Sequence, residues 1–216
     1  GEGFSFLSET CYAIRKSAGE WTMLYKMCRI CSSSAGWHHP APSVGKVSGH
    51  KARYGFGFEE WLARREWTLS GYPGLEGDWR YGHIPSLLTR SHAHSGRQAK
   101  VLLFVYENGL SLAVGWLEEA FVLSREEAAW AWRQYEELGQ LDIMRGEVKQ
   151  IRGDVAGLPP ARTEEPIFFL DVRFRPDALH FFARPRPIPD RTHPHPEPLR
   201  LWRFNTAYDW DGILPA

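Results

Sequence analysis

The sequence predicts an α+β protein, a β-barrel of about six strands decorated with helices, and not a doubly wound sheet. Three observations carry that expectation. Six or seven stretches read as strands against two or three that read as helices. Strands rarely alternate with helices, as βαβ units would require. The tripeptide Glu107-Asn108-Gly109 lies between the β-rich runs 100–106 and 110–117, and Asn-Gly is a strong hairpin signal.

Taken in order, residues 4–19 read as a short helix or turn. Trp21 to Cys31 reads as a strand, because Leu24, Lys26, Cys28 and Ile30 alternate with Met23, Tyr25, Met27 and Arg29. Residues 32–52 are rich in Ser, Gly, Pro and His and read as a long loop. That loop contains Trp37-His38-His39-Pro40 and the basic residues Lys46, His50 and Lys51, with Arg53 just beyond. Phe58 to Trp67 reads as a short helix, 70–77 as turns and Trp79 to Ile84 as a strand leading into a second basic loop, Arg90 to Lys100. After the hairpin, Ser124-Arg125-Glu126-Glu127 has the form of a capping box, and its helix runs to a stop at Gly139. A connection over 152–166 precedes a strand pair, 167–174 and 178–182, around Arg175-Pro176-Asp177. Residues 184–198 hold six of the fifteen prolines and read as an extended, polyproline-like segment, followed by a last strand over 199–206. The expected organisation is a core over 1–150, with 151–216 completing it or packing on it.

The 216 residues, 43% of them hydrophobic, suffice for one large domain with a real core. No apolar run reaches the roughly 20 residues that span a bilayer. The start, Gly1-Glu2-Gly3, lacks both an initiating Met and the order of a signal peptide, and reads as a processing remnant. Three cysteines are too few for a disulfide framework, which favours a reducing, cytoplasmic setting. Net charge is zero but unevenly spread. Residues 1–100 carry 13 basic and 8 acidic side chains, whereas 101–150 carry 4 and 9. A local basic face is what phosphates feel, so zero net charge does not exclude nucleic acid.

The focal stretch is Tyr54-Gly55-Phe56-Gly57-Phe58-Glu59-Glu60-Trp61, which joins four aromatics, two glycines and two carboxylates. Rings offer stacking faces and carboxylates accept from amino or imino groups, so these are parts of a pocket for a planar heterocycle. Its bland counterpart is a structural corner. Adjacent glutamates point apart, so one faces a site while the other faces water or stands behind the site as a support. Gly55-x-Gly57 lacks the third glycine of a dinucleotide loop. No P-loop and no Gly-x-Ser-x-Gly elbow is present, and nothing pairs a nucleophile with a base. Catalysis is therefore unmotivated, and no cofactor is implied. Cys28-x-x-Cys31 lacks a second knuckle and its thiols would face opposite sides of a strand, so it reads as two buried thiols and not as a metal site. His193-Pro194-His195-Pro196 reads as solvated linker.

Ala35-Gly36-Trp37-His38-His39-Pro40, the basic loop and Tyr54 to Leu62 together resemble the reader modules of modification-dependent restriction proteins, in the PUA-like superfamily of EVE, SRA, YTH and ASCH domains. The resemblance spans residues 22–150 at most and is specific only in Gly-Phe-Gly-Phe-Glu-Glu-Trp. It implies a pseudobarrel that flips a modified base into an aromatic cage, as the specificity part of a bacterial defence protein whose nuclease or motor lies elsewhere in a parent protein. The expected base pocket is Trp37, Tyr54, Phe56, Glu59, Glu60, Trp61 and Trp79. The expected phosphate contacts are Lys46, Lys51, Arg53, Arg80, Arg90, Arg97 and Lys100, on double-stranded DNA. Two rival expectations stand beside it. One is a nucleic-acid-processing enzyme, or RNA-binding accessory, on a similar barrel with a glutamate as acid–base group. The other is a protein-interaction module that uses the Pro-rich segment.

Overall fold

The computed structural model describes residues 24–42, 47, 49–85, 87, 96–160 and 169–188. Among these residues, seven strands lie in one open mixed sheet: β1 (Leu24–Arg29), β2 (Thr68–Leu69), β3 (Trp79–Gly82), β4 (Gln98–Glu107), β5 (Leu110–Val122), β6 (Val172–Phe174) and β7 (Leu179–Pro187). Three α-helices accompany them: α1 (Gly49–Tyr54), α2 (Arg125–Glu137) and α3 (Gln140–Gln150). Short 3-10 turns cover Phe58–Trp61 and Val155–Gly157. The fold class is α+β. No described helix is long and apolar enough to cross a membrane. The expected helix at 4–19 and strand at 199–206 lie outside the described residues.

The spine is the β4–β5 hairpin. Asn108 and Gly109 turn with φ of 51° and 83°, the left-handed pair that a two-residue hairpin needs and that Asn-Gly supplies. β1 adds parallel to the outer edge of β4, from Leu24 opposite Ala99 to Arg29 opposite Phe104. The strand pair expected around Arg175-Pro176-Asp177 is not a hairpin. β6 and β7 instead follow one another along the free edge of β5, with Val172 opposite Val122 and Leu179 opposite Leu117. Pairing two successive segments with one long strand needs only the bend at 175–178, closed by Ala178 N–H donating to Arg175 O at 2.9 Å. β3 takes the other edge of β6, and β2 pairs with β3. The first prolines of the expected polyproline segment, Pro185 and Pro187, belong to β7, which among the described strands pairs only with β5. An edge strand tolerates proline because its outward N–H groups have no partner to lose.

Among the described residues, two large apolar clusters and a small third one, around Leu102, Ala113 and Ile188, pack on this sheet. Cys28, Ile30, Val101, Leu103, Leu117, Val122, Val172 and Phe174 fill the first. Phe56, Phe58, Trp61, Trp67, Trp79, Tyr81, Trp132, Tyr135, Met144 and Val148 fill the second, between β2–β3 and the helices. Burying such side chains contributes about 1.5–3 kcal/mol each. Ser124 caps α2 as its spacing predicts, accepting from Glu127 N–H at 3.1 Å. Gly139 ends α2 in the left-handed conformation, φ 73°, and also starts α3. The sequence reading stops at that glycine, because Leu141, Met144 and Val148 form only a short apolar stripe in a polar stretch.

Candidate functional site

The focal stretch is a corner in which the two adjacent carboxylates part company. Lys51 O receives Gly55 N–H at 2.9 Å, and the chain then turns into the 3-10 segment that holds Glu59 and Glu60. Glu60 points inward and is 0% exposed. Its Oε1 accepts from Lys51 Nζ at 2.6 Å and from Ala41 N–H at 3.1 Å, while Oε2 accepts from Gly57 N–H at 2.9 Å. Burial pushes the Glu60 carboxyl up, against the pull of Lys51 and the two backbone donors. Glu60 and Lys51 thus form a buried structural pair.

Glu59 is buried as well, 8% exposed, but is held by less. Its Oε1 accepts from Cys31 N–H at 3.0 Å, and among the described residues no cation lies within ion-pair distance. The carboxylate folds back over Gly57, where a Cβ would come within 2.6–2.8 Å of its atoms. A side chain there would push the Glu59 carboxylate aside. Cys31 also fixes the nearest stacking ring: its carbonyl accepts from Trp37 Nε1 at 2.9 Å. Trp37 sits at φ 61°, uncommon for a bulky residue, and stacks on Phe181 of β7 with centroids 4.9 Å apart and planes 1° off parallel. One residue at the end of β1 therefore gathers a lightly held carboxylate and an aromatic stack. Burial, with Glu59 and Glu60 nearby, pushes the Cys31 thiol far up and keeps it protonated, so it is a poor nucleophile.

Two histidines complete the surroundings. The His50 ring packs on Tyr54 at 4.5 Å and on Phe56 and Phe58 at 4.9 Å. Its Nε2 is buried with no hydrogen-bond partner among the described residues. Burial lowers its basicity, and the charges of His83 and Arg53 act in the same sense. His83 Nδ1 lies 2.9 Å from Asp171 Oδ2, an ion pair when the imidazole is protonated. Burial would lower this imidazole too. Asp171, itself 2% exposed, outweighs that effect with help from Glu59 and raises it.

The expected site residues divide sharply. Glu59 and Trp37 meet at Cys31, just beyond β1, whereas the half-buried Tyr54 lies at the end of α1 against His50. Phe56, Trp61 and Trp79 are core. Trp61 Nε1 donates to Glu147 of α3 at 2.7 Å. Trp79 lies under the guanidinium groups of Arg175 and Arg173, at 3.9 and 5.2 Å from its centroid. The cavity bordering Phe58, Trp61, Tyr81, His83 and Phe169 has about 10 Å³ of free space, room for one water and not for a base.

Among the expected phosphate contacts, two are turned inward. Lys51 and Arg80 are 4% and 3% exposed. Lys51 is paired with Glu60, and Arg80 donates to Leu62 O at 2.6 Å, closing the 58–61 turn. Desolvation lowers the Arg80 guanidinium to about 10. Arg53 is exposed, whereas Arg97 and Lys100 are half-buried and engaged within the protein. Lys46 and Arg90 lie outside the described residues.

His83, Asp171 and Phe181 went unread in the sequence. Asp171 is 88 positions from His83 and Phe181 is 144 from Trp37, so no local spacing signals either pair. Among the described residues no group of three His, Cys, Asp or Glu side chains could hold a metal ion. Comparison with protein-family models, with curated proteins and with solved structures gave no match.

Proposed function

We propose that this chain is a DNA-binding module that reads a modified base flipped from the duplex, on a PUA-like pseudobarrel, as the specificity part of a restriction or defence protein. The observation that supports this most is the double use of Cys31, whose N–H holds Glu59 and whose carbonyl holds Trp37. A base stacking on Trp37 would extend the Trp37–Phe181 pair by one ring, a contact worth about 1–3 kcal/mol. Glu59 has acceptor capacity beyond its bond from the Cys31 N–H and would take an amino or imino hydrogen from the base edge. The protonated Cys31 thiol favours reading over covalent chemistry.

The test is a titration of the protein with duplexes that carry one modified base or none, at several salt concentrations. The reading expects the modified duplex to bind about tenfold tighter, the scale of one or two base contacts. It also expects both affinities to fall with salt. Equal, weak, salt-insensitive binding to both duplexes would reject it.

A further inference from the structure

Helix α3 ends in a cap whose left-handed position is taken by an arginine. Gly153 N–H donates to Val148 O at 2.9 Å and Arg152 N–H to Lys149 O at 3.0 Å, the two bonds of a Schellman motif. Arg152 occupies the left-handed position, φ 59°, where glycine is the usual residue and a side chain is strained. The neighbouring glycine is needed where it stands. A Cβ on Gly153 would lie 2.9 Å from Val148 Cγ1 and 3.0 Å from Tyr54 O. Packing thus explains Gly153, but nothing in the packing explains an arginine at 152. Its side chain is exposed and, among the described residues, makes no hydrogen bond or ion pair that would offset the strain.

The cap lies against the end of α1, where Tyr54 packs on His50, the ring that feels the charge of Glu59. Asp154 N–H donates to Tyr54 O at 2.8 Å, and a Cβ on Gly55 would be 3.1 Å from Gly153 Cα. The 53–55 segment therefore runs beside 152–154. Arg53 is exposed, with its guanidinium 5.0 Å from the centroid of the Tyr54 ring that packs on His50. Lys149, in the last turn of α3, is exposed as well. Asp154 is the exposed acid of this strip, and its Oδ1 is occupied by Ala156 N–H at 2.9 Å. Three cations thus stand against one carboxylate.

We propose that Arg53, Lys149 and Arg152 form a ridge that binds the phosphodiester backbone of DNA beside the Trp37–Glu59 site, an inference that rests on the DNA-binding reading above. Backbone strain that the packing does not require is a recurrent mark of functional positions. A ridge of this kind grips phosphates without reading sequence.

Arg152→Gly separates this role from a structural one, because it removes the charge and the strain together. The variant is expected to melt at a higher temperature than the wild type and yet to bind duplex about fivefold more weakly at low salt. The dependence of log affinity on log salt becomes shallower by about 0.9. The loss is equal for modified and unmodified duplexes, so discrimination is unchanged. Arg53→Gln is expected to show the same loss without the thermal gain. A higher melting temperature with unaltered affinity and salt slope would overturn the ridge while leaving the base reading intact. A reduced slope in a protein that does not discriminate would support the ridge and reject the base reading. A wild-type protein that binds no duplex would reject both.

Discussion

Glu60→Gln is the sharpest perturbation of the corner. It preserves shape but leaves an amide where a carboxylate accepts three bonds. The amide oxygen can serve Lys51 and Ala41, but the amide nitrogen then faces Gly57 N–H, donor against donor. The charge-assisted bond from Lys51, worth about 1.5–3 kcal/mol, weakens, and one buried donor is orphaned at about 1–3 kcal/mol. The expected loss is about 3–5 kcal/mol, large against a typical total of about 5–15 kcal/mol. Both partners are almost wholly buried, with side chains 4% and 0% exposed, so solvent screening does not reduce it. Urea denaturation followed by tryptophan fluorescence and far-ultraviolet circular dichroism measures it, with a midpoint drop of about 1–2 M. A loss below about 1 kcal/mol would refute the reasoning, because it would give this pair the weight of a surface salt bridge.

Other positions test the frame. A Cβ on Gly115 would lie 2.3 Å from His180 O, so Gly115→Ala forces β7 from β5 and is expected to cost about 3 kcal/mol; an unshifted melting curve would contradict the register. Ser124→Ala removes the α2 cap and should cost about 1 kcal/mol, lowering the melting temperature by about 2–4 °C. His83 is raised in the fold above its ordinary value of 6.5, so its contribution is complete below pH 6.5 and is lost as pH rises through the folded value. His50, which is lowered, has the opposite sign. The stability difference between wild type and His83→Asn isolates the first effect and should shrink from about pH 6 to about pH 8.5; a difference that grows with pH would refute the His83–Asp171 pairing.

What was legible in the sequence is what is decided locally. Asn108-Gly109 turns the hairpin and Ser124 caps α2 because each needs only its near neighbours. Within the expected strands 21–31 and 79–84, the strands Leu24–Arg29 and Trp79–Gly82 form, because β-rich runs are a local signal. The division between Glu59 and Glu60 is not local. It depends on Cys31 for one and on Ala41 and Lys51 for the other, contacts 28, 19 and 9 positions away. Lys51 and Arg80 read as surface cations because such residues are almost never fully buried without partners. Their partners, a carboxylate and the carbonyl end of a 3-10 turn, exist only once the chain has folded. The aromatic stretch likewise mixes core and site, because a buried ring and a stacking ring have the same composition.

The most direct measurement is the ratio of affinities for modified and unmodified duplex in Glu59→Gln beside wild type. The substituted amide keeps an oxygen for Cys31 N–H, so the fold and its melting temperature should persist, and so should the salt dependence of binding. The account predicts that the preference for the modified duplex collapses about tenfold in this variant. A Glu59→Gln protein that folds, binds and discriminates as well as wild type would contradict the assignment of Glu59 as the base acceptor.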